Sequence, residues 1–403
     1  MTKPKIRIQG FEEEWHTISL HDECQRVVRK NENLQSTIPL TISAQYGLIP
    51  QTDFFNSKIA GAHIENYYLI KHGEFAYNKS SSQDYPFGAV KRLDKLDDGV
   101  LSTLYIVFSI SDNIQSDFLA SFFDTTKWHS QVRQRASEGA RNHGLLNISA
   151  DDFLDIDIAV PSKEEQTIIG IFQANFDALI SKSQDKLNSL KSLKICYLNR
   201  LFPIGGGKIP PIRLEGFSGE WIEQTAGDIF ESVSDKGHPE LPVLSATQDR
   251  GMIIRDDSEK IIVHDKKNEI DYKRVLPGQF VIHLRSFQGG FAHSDVEGIT
   301  SPAYTVIRFK EPEKHDSYYW KYVFNSKEFI HRLTTVTYGI RDGRSINYDD
   351  FLKMTFRFPI KEEQIKISSF LRELDSFISL HSEELDRLKQ LKQSCLESMF
   401  VNP

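Results

Sequence analysis

Two long stretches of the chain space their apolar positions in alternating steps of four and three. In the later stretch Ile367, Leu371, Leu374, Ile378, His381, Leu385, Leu388, Lys392, Cys395 and Met399 form a heptad seam. In the earlier one Ile169, Gln173, Phe176, Ile180, Ser183, Leu187, Leu190, Lys194, Tyr197 and Leu201 hold the matching places. Each seam starts after a proline, Pro161 or Pro359. A helix from about Ser162 to Leu201 would extend ~60 Å at 1.5 Å per residue. Ser162 followed by Glu165 has the spacing of a capping box, whereas Ile360 leaves the second start less well capped. Ahead of Pro161 the period changes: Phe153, Ile156, Ile158 and Val160 alternate, which predicts a strand.

The pattern is written twice. Pro4-Lys5-Ile6-Arg7-Ile8-Gln9-Gly10-Phe11, followed by Glu14-Trp15, returns as Pro210-Pro211-Ile212-Arg213-Leu214-Glu215-Gly216-Phe217, followed by Glu220-Trp221. Ile148 to Leu154 and Pro161 to Gln166 return as Ile346 to Leu352 and Pro359 to Gln364. Weaker echoes lie between: Ile42-Ser43-Ala44 with Leu244-Ser245-Ala246, Gly73-Glu74-Phe75 with Gly278-Gln279-Phe280, and Gly139-Ala140-Arg141 with Gly339-Ile340-Arg341. Each half has preserved ends around a diverged middle. Gly205-Gly206-Gly207 and Pro210-Pro211 break the first helix, and burying the second seam against the first requires the helices to run antiparallel. The expected fold is therefore α+β. Two heads, residues 1–161 and 217–359, are joined by helices 162–203 and 360–403 with a linker at 204–216, and a pseudo-twofold axis relates the halves.

At 403 residues with 39% hydrophobic and 26% charged positions, the chain can bury two cores and is not a disordered tail. The longest apolar run, around Leu101 to Ile110, is too short to span a bilayer, and Met1 to Trp15 lacks a secretory signal's apolar segment. Cys24, Cys196 and Cys395 lie far apart, which excludes a disulfide scaffold or zinc ribbon and suits a reducing cytosol. No metal site is expected. Catalytic motifs are lacking too. Gly205-Gly206-Gly207-Lys208 has Phe202 and Ile209 where a phosphate loop needs Gly and Ser or Thr. The pairs Asp151-Asp152 and Asp349-Asp350 suit capping turns, and Lys-Glu-Glu-Gln suits the positive end of a helix.

Taken together, the duplicated Ile-Arg-(Ile/Leu)-x-Gly-Phe-x-x-x-Trp opening and Pro-x-x-Glu-Glu-Gln helix start resemble the specificity subunit of type I restriction–modification enzymes. The resemblance covers essentially the whole chain. It implies two target recognition domains, each reading one half of a split double-stranded DNA site. It also implies coiled-coil spacer helices that dock two methyltransferase subunits, restriction–helicase subunits as further partners, and no membrane. No catalysis or cofactor is implied for this subunit; S-adenosylmethionine, ATP and magnesium would serve the partners. A two-headed adaptor for protein ligands is the alternative, but it leaves the divergence of paired heads within one frame unexplained.

The net charge of −7 runs against phosphate binding unless bases cluster locally. They do, at Arg26, Arg29, Lys30; Lys91, Arg92; Arg133, Arg135, Arg141; Lys266, Lys267, Lys273, Arg274; and Arg341, Arg344. Base reading needs polar side chains on loops. Near the echoed positions these are Gln45, Tyr46, Asn78, Lys79, Ser80, Arg141, Asn142 and His143 in the first half. In the second they are Thr247, Gln248, His283, Arg285, Ser286, Gln288, Arg341 and Asp342.

Overall fold

Short strands with strict alternation give each half a sheet with two buried faces. In Phe75–Asn78, Phe75 and Tyr77 join a core with Phe108, Phe118, Phe122 and Trp128, while Ala76 faces Leu40, Ile42, Ile70 and Leu101 on the other side. Phe280–Ile282 repeats this: Phe280 and Ile282 meet Phe230, Trp320 and Phe324, and Val281 meets Leu244, Met252 and Val275. Successive side chains point to opposite faces, so one such strand serves two cores.

The computed structural model describes residues 3–43, 46–55, 63–136, 144–247, 250–255, 266–283, 290–333, 337–338 and 345–402. The chain divides into two units: Met1–Asp185 with Glu383–Pro403, and Lys186–Ser382. In unit 1 an antiparallel sheet runs Cys24–Arg26, Ile106–Ile110, Phe75–Asn78, Ala89–Arg92. In unit 2 the order is Phe230–Val233, Thr305–Phe309, Phe280–Ile282, Phe291–His293, the same topology. The opening strand of each half pairs with its closing strand: Thr17 stands opposite Ala159, and Glu223 opposite Arg357.

The repeated motifs meet in space. Arg7 donates to Glu165 through Nε and Nη2 at 2.9 and 2.8 Å, and Arg213 to Glu363 at 3.0 and 2.8 Å. Both glutamates are buried, so the second Glu of Lys-Glu-Glu-Gln clamps the opening segment in addition to facing the helix dipole. The Gln beside it is equally committed. Gln166 Oε1 accepts from the Gln115 N–H and its Nε2 donates to the Pro161 carbonyl; Gln364 does the same with Asp316 and Pro359.

The strand predicted through Phe153 starts later. Ala150–Leu154 is a short helix capped by Ser149, whose hydroxyl accepts the Asp152 N–H at 3.0 Å, and the strand is Asp157–Val160. The apolar alternation there joins a helix face to a strand. Asn347 caps Tyr348–Leu352 in the same way, so both acidic pairs lie in first helical turns.

The long helices are α1, Lys163–Arg200, and α2, Lys361–Met399. All ten predicted seam positions of each are buried or half-buried. Unit 1 holds the beginning of α1 and the end of α2, where Gln173 Nε2 donates to Met399 Sδ and Lys392 pairs with Asp177 at 2.7 Å. Unit 2 holds the end of α1 and the beginning of α2, where the Tyr197 and Phe370 rings lie 4.7 Å apart and Lys194 pairs with Asp375. Within each unit, contacts that advance along one helix retreat along the other, so the segments are antiparallel. Each unit thus takes its core from both long helices. Phe400 meets Trp15 edge-on at 6.1 Å in unit 1, and Phe202 meets Trp221 at 6.4 Å in unit 2.

Candidate nucleic-acid interface

In unit 1 the strand Phe75–Asn78 runs into a loop held by its own backbone. Asn78 Oδ1 accepts the Ser80 N–H at 3.0 Å, Ser80 bridges Leu145, and the Lys79 carbonyl accepts the Leu146 N–H at 2.9 Å. Lys79 Nζ donates to the Ile148 carbonyl at 3.3 Å. Gly88 closes the loop: at φ +77°, a Cβ there would stand 2.1 Å from the Asn78 carbonyl oxygen. The candidates Asn78, Lys79 and Ser80 therefore lie beside Gly144, the residue that follows Arg141, Asn142 and His143. Those three, with Gln45, are outside the described residues. Tyr46 is exposed on the turn between Leu40–Ser43 and Gly47–Pro50.

In unit 2 Thr247 sits in the equivalent turn. Its hydroxyl donates to the Gly251 carbonyl at 2.7 Å and accepts the Arg250 N–H at 3.1 Å, so it shapes the loop. His283 is buried, its ring 6.1 Å from Tyr304. Gln248, Arg285, Ser286, Gln288, Arg341 and Asp342 are outside the described residues. Nothing in the sequence spacing singled out Tyr85, whose ring is exposed in the locked loop beside Ser80.

Most predicted basic clusters are internally paired. Arg29 binds Glu74, Lys91 binds Asp124 at 2.6 Å, Arg92 binds Asp94 and Asp117, Arg135 binds Asp155, and Arg274 binds Glu297. Lys30 and Lys273 are taken by carbonyls, and Arg133 lies over the Phe87 ring. Arg26 is exposed, with no such partner among the described residues. Burial pushes the Asp124 carboxyl up, but Lys91 and Lys392 outweigh it and hold it below the usual carboxylate range. Alternation could not show this, because pairing depends on which strands become neighbours.

Among the described residues no group of three or more His, Cys, Asp or Glu side chains could hold a metal ion. No helix there is long and apolar enough to cross a membrane.

Residues 219–390 match the family model for the type I restriction modification DNA specificity domain. No curated protein matches the chain. Among solved structures, the S subunit of a type I restriction–modification system from M. genitalium aligns over 100% of both chains, with TM-score 0.57 and 14% identity. A chain from work on complex assembly and conformational transition of the type I R-M system aligns over 97% of this chain and 98% of its own, with TM-score 0.54 and 15% identity. At such identities the likeness is one of fold. Residues 219–390 are thus similar in sequence to the type I restriction modification DNA specificity domain, and the first half repeats the order of their four-stranded sheet.

Proposed function

We propose that each unit reads one half of a split, asymmetric DNA site, and that the long helices dock two methyltransferase subunits. The observation that carries this reading is one frame around different rims. Both units keep the Arg–Glu clamp, the sheet order and the capped helix before the closing strand. The loops leaving the equivalent strands carry Asn78-Lys79-Ser80 in one unit and His283 to Gln288 in the other. A reader of a palindrome would need equal rims, whereas unequal ones suit two different half-sites. In this reading the subunit does no chemistry. Methyl transfer would use the partners' S-adenosylmethionine, and cleavage would use the ATP and magnesium of restriction–helicase subunits.

Long-read detection of modified bases, with and without this gene, tests the proposal. A split motif carrying N6-methyladenine should disappear with the gene, and exchanging one unit's rim should change one half of the motif only. Arg141→Ala and Arg341→Ala should each weaken reading of a single half-site. An equal loss on all sequences would make them phosphate contacts instead.

A further inference from the structure

The loop 79–88 of unit 1, between Phe75–Asn78 and Ala89–Arg92, is fixed in its backbone and open in its side chains. Residues 81–86 are all exposed. The Ser82 N–H donates to the Tyr85 carbonyl at 3.1 Å, and the Tyr85 N–H donates to the Ser82 hydroxyl at 3.2 Å. The Gly88 N–H reaches the same carbonyl at 3.1 Å, and the Tyr77 hydroxyl donates to the Phe87 carbonyl at 2.8 Å. At the tip these ties enclose, the side chains of Gln83 and Asp84 and the Tyr85 hydroxyl have no partner among the described residues.

The same loop seats a cation. The Arg133 guanidinium lies over the Phe87 ring, 5.4 Å from its centre. Arg133 is exposed and, unlike Arg29, Lys91, Arg92 and Arg135, has no carboxylate partner among the described residues. The tip itself carries no cation. No lysine or arginine lies between Lys79 and Lys91, and Lys79 is held by the Ile148 carbonyl. With Asp84 at its end the tip is acidic, and it gains nothing from phosphates. What it can meet on DNA is a donor on a base edge. The minor groove offers mainly acceptors, whereas the major groove offers the amino groups of cytosine and adenine. A backbone fixed before binding also loses little entropy on docking.

We propose that this tip is the base-reading element of unit 1, entering the major groove while Arg133 holds an adjacent phosphate. Asp84 accepts from a cytosine amino group, Gln83 pairs with adenine through its amide, and Tyr85 adds an exposed ring beside them. The inference rests on the reading that unit 1 recognises one half-site. It moves recognition from Asn78 and Lys79, whose polar groups already hold backbone, to the residues beyond them.

Methylation of a duplex library by the full chain, assembled with the methyltransferase of its own system, tests it. Asp84→Asn exchanges a carboxylate for an amide and should turn one letter of unit 1's half from cytosine to adenine. Gln83→Ala should relax a second letter, and each change should alter discrimination about tenfold. Arg133→Gln should slow methylation of every site about tenfold and change no letter. These side chains are exposed, so the melting temperature should hold, and an unchanged second half of the motif reports a folded complex. A split motif that both tip variants read unchanged would overturn the inference and leave the half-site reading standing. Equal loss on all sequences in the tip variants, or a changed letter in Arg133→Gln, would overturn the assigned roles. Methylation without a split motif would overturn the half-site reading and this inference together.

Discussion

Units 1 and 2 tie the same strand to the same helix with different chemistry. In unit 1 Arg92, at the end of Ala89–Arg92, donates to the Ser116 hydroxyl at 2.7 Å and pairs with Asp94. In unit 2 His293, at the end of Phe291–His293, lies 3.1 Å from the Ser317 hydroxyl and 3.5 Å from Asp295. Seen alone, Ser317, His293 and Asp295 resemble a hydrolytic triad. The comparison teaches otherwise, because the same place in unit 1 is held by an arginine that cannot act as a base. The frame needs a donor across to the helix start, and either side chain meets that need.

The difference should show first in acid. Burial pushes His293 down to about 4, with Lys321 and Arg372 acting the same way and Asp295 and Asp316 opposing. Burial also lowers His315 to about 4 against the pull of Glu311. Both folded values lie below the unfolded histidine's ~6.5, so the unfolded chain takes up protons first. Their contribution is complete above pH ~6.5, declines as pH falls, and is fully lost near pH 4, at up to ~3 kcal/mol for each. Urea unfolding followed from pH 7 to pH 4 should show unit 2 failing before unit 1, which carries one histidine displaced the same way, His129. His315→Ile, copying Ile114 at the equivalent place, should remove about half of that decline. A loss shared equally by the two units would break the comparison.

A smaller effect separates the two seam lysines. Lys392 serves both Asp124 and Asp177, and Lys392→Ala would strip the half-buried Asp124 of one of its two cations. The expected cost is about 2–3 kcal/mol in unit 1, read from chemical denaturation. Lys194 meets the more exposed Asp375, which also accepts the Tyr322 hydroxyl at 2.7 Å, and Lys194→Ala should cost less than ~1 kcal/mol in unit 2. Equal costs would mean that the two seams are held alike.

Much of this was legible in the sequence. Every position the heptad steps marked is buried or half-buried, and Ser162 caps α1 by accepting the Glu165 N–H at 3.3 Å. The duplicated motifs gave two units of one design. The partners of charged residues were not legible. Arg7 and Glu165 are 158 residues apart, and only the pairing of the opening and closing strands brings them together. For the same reason the basic clusters read as candidate phosphate contacts, although Arg29, Lys91, Arg92, Arg135 and Arg274 are closed by carboxylates. The candidate base-reading residues were placed by echo alone. That could not show that the polar groups of Lys79 and Thr247 already serve the backbone.

The Ile6 N–H donates to the Ser398 carbonyl at 3.1 Å, and the Ile212 N–H donates to the Arg200 carbonyl at 2.9 Å. The end of α2 thus stands to the first opening segment as the end of α1 stands to the second, although a peptide linker joins only the latter pair. The same contact forms with a covalent linker and without one, so the packing of each unit, and not the linker, seats the opening segment.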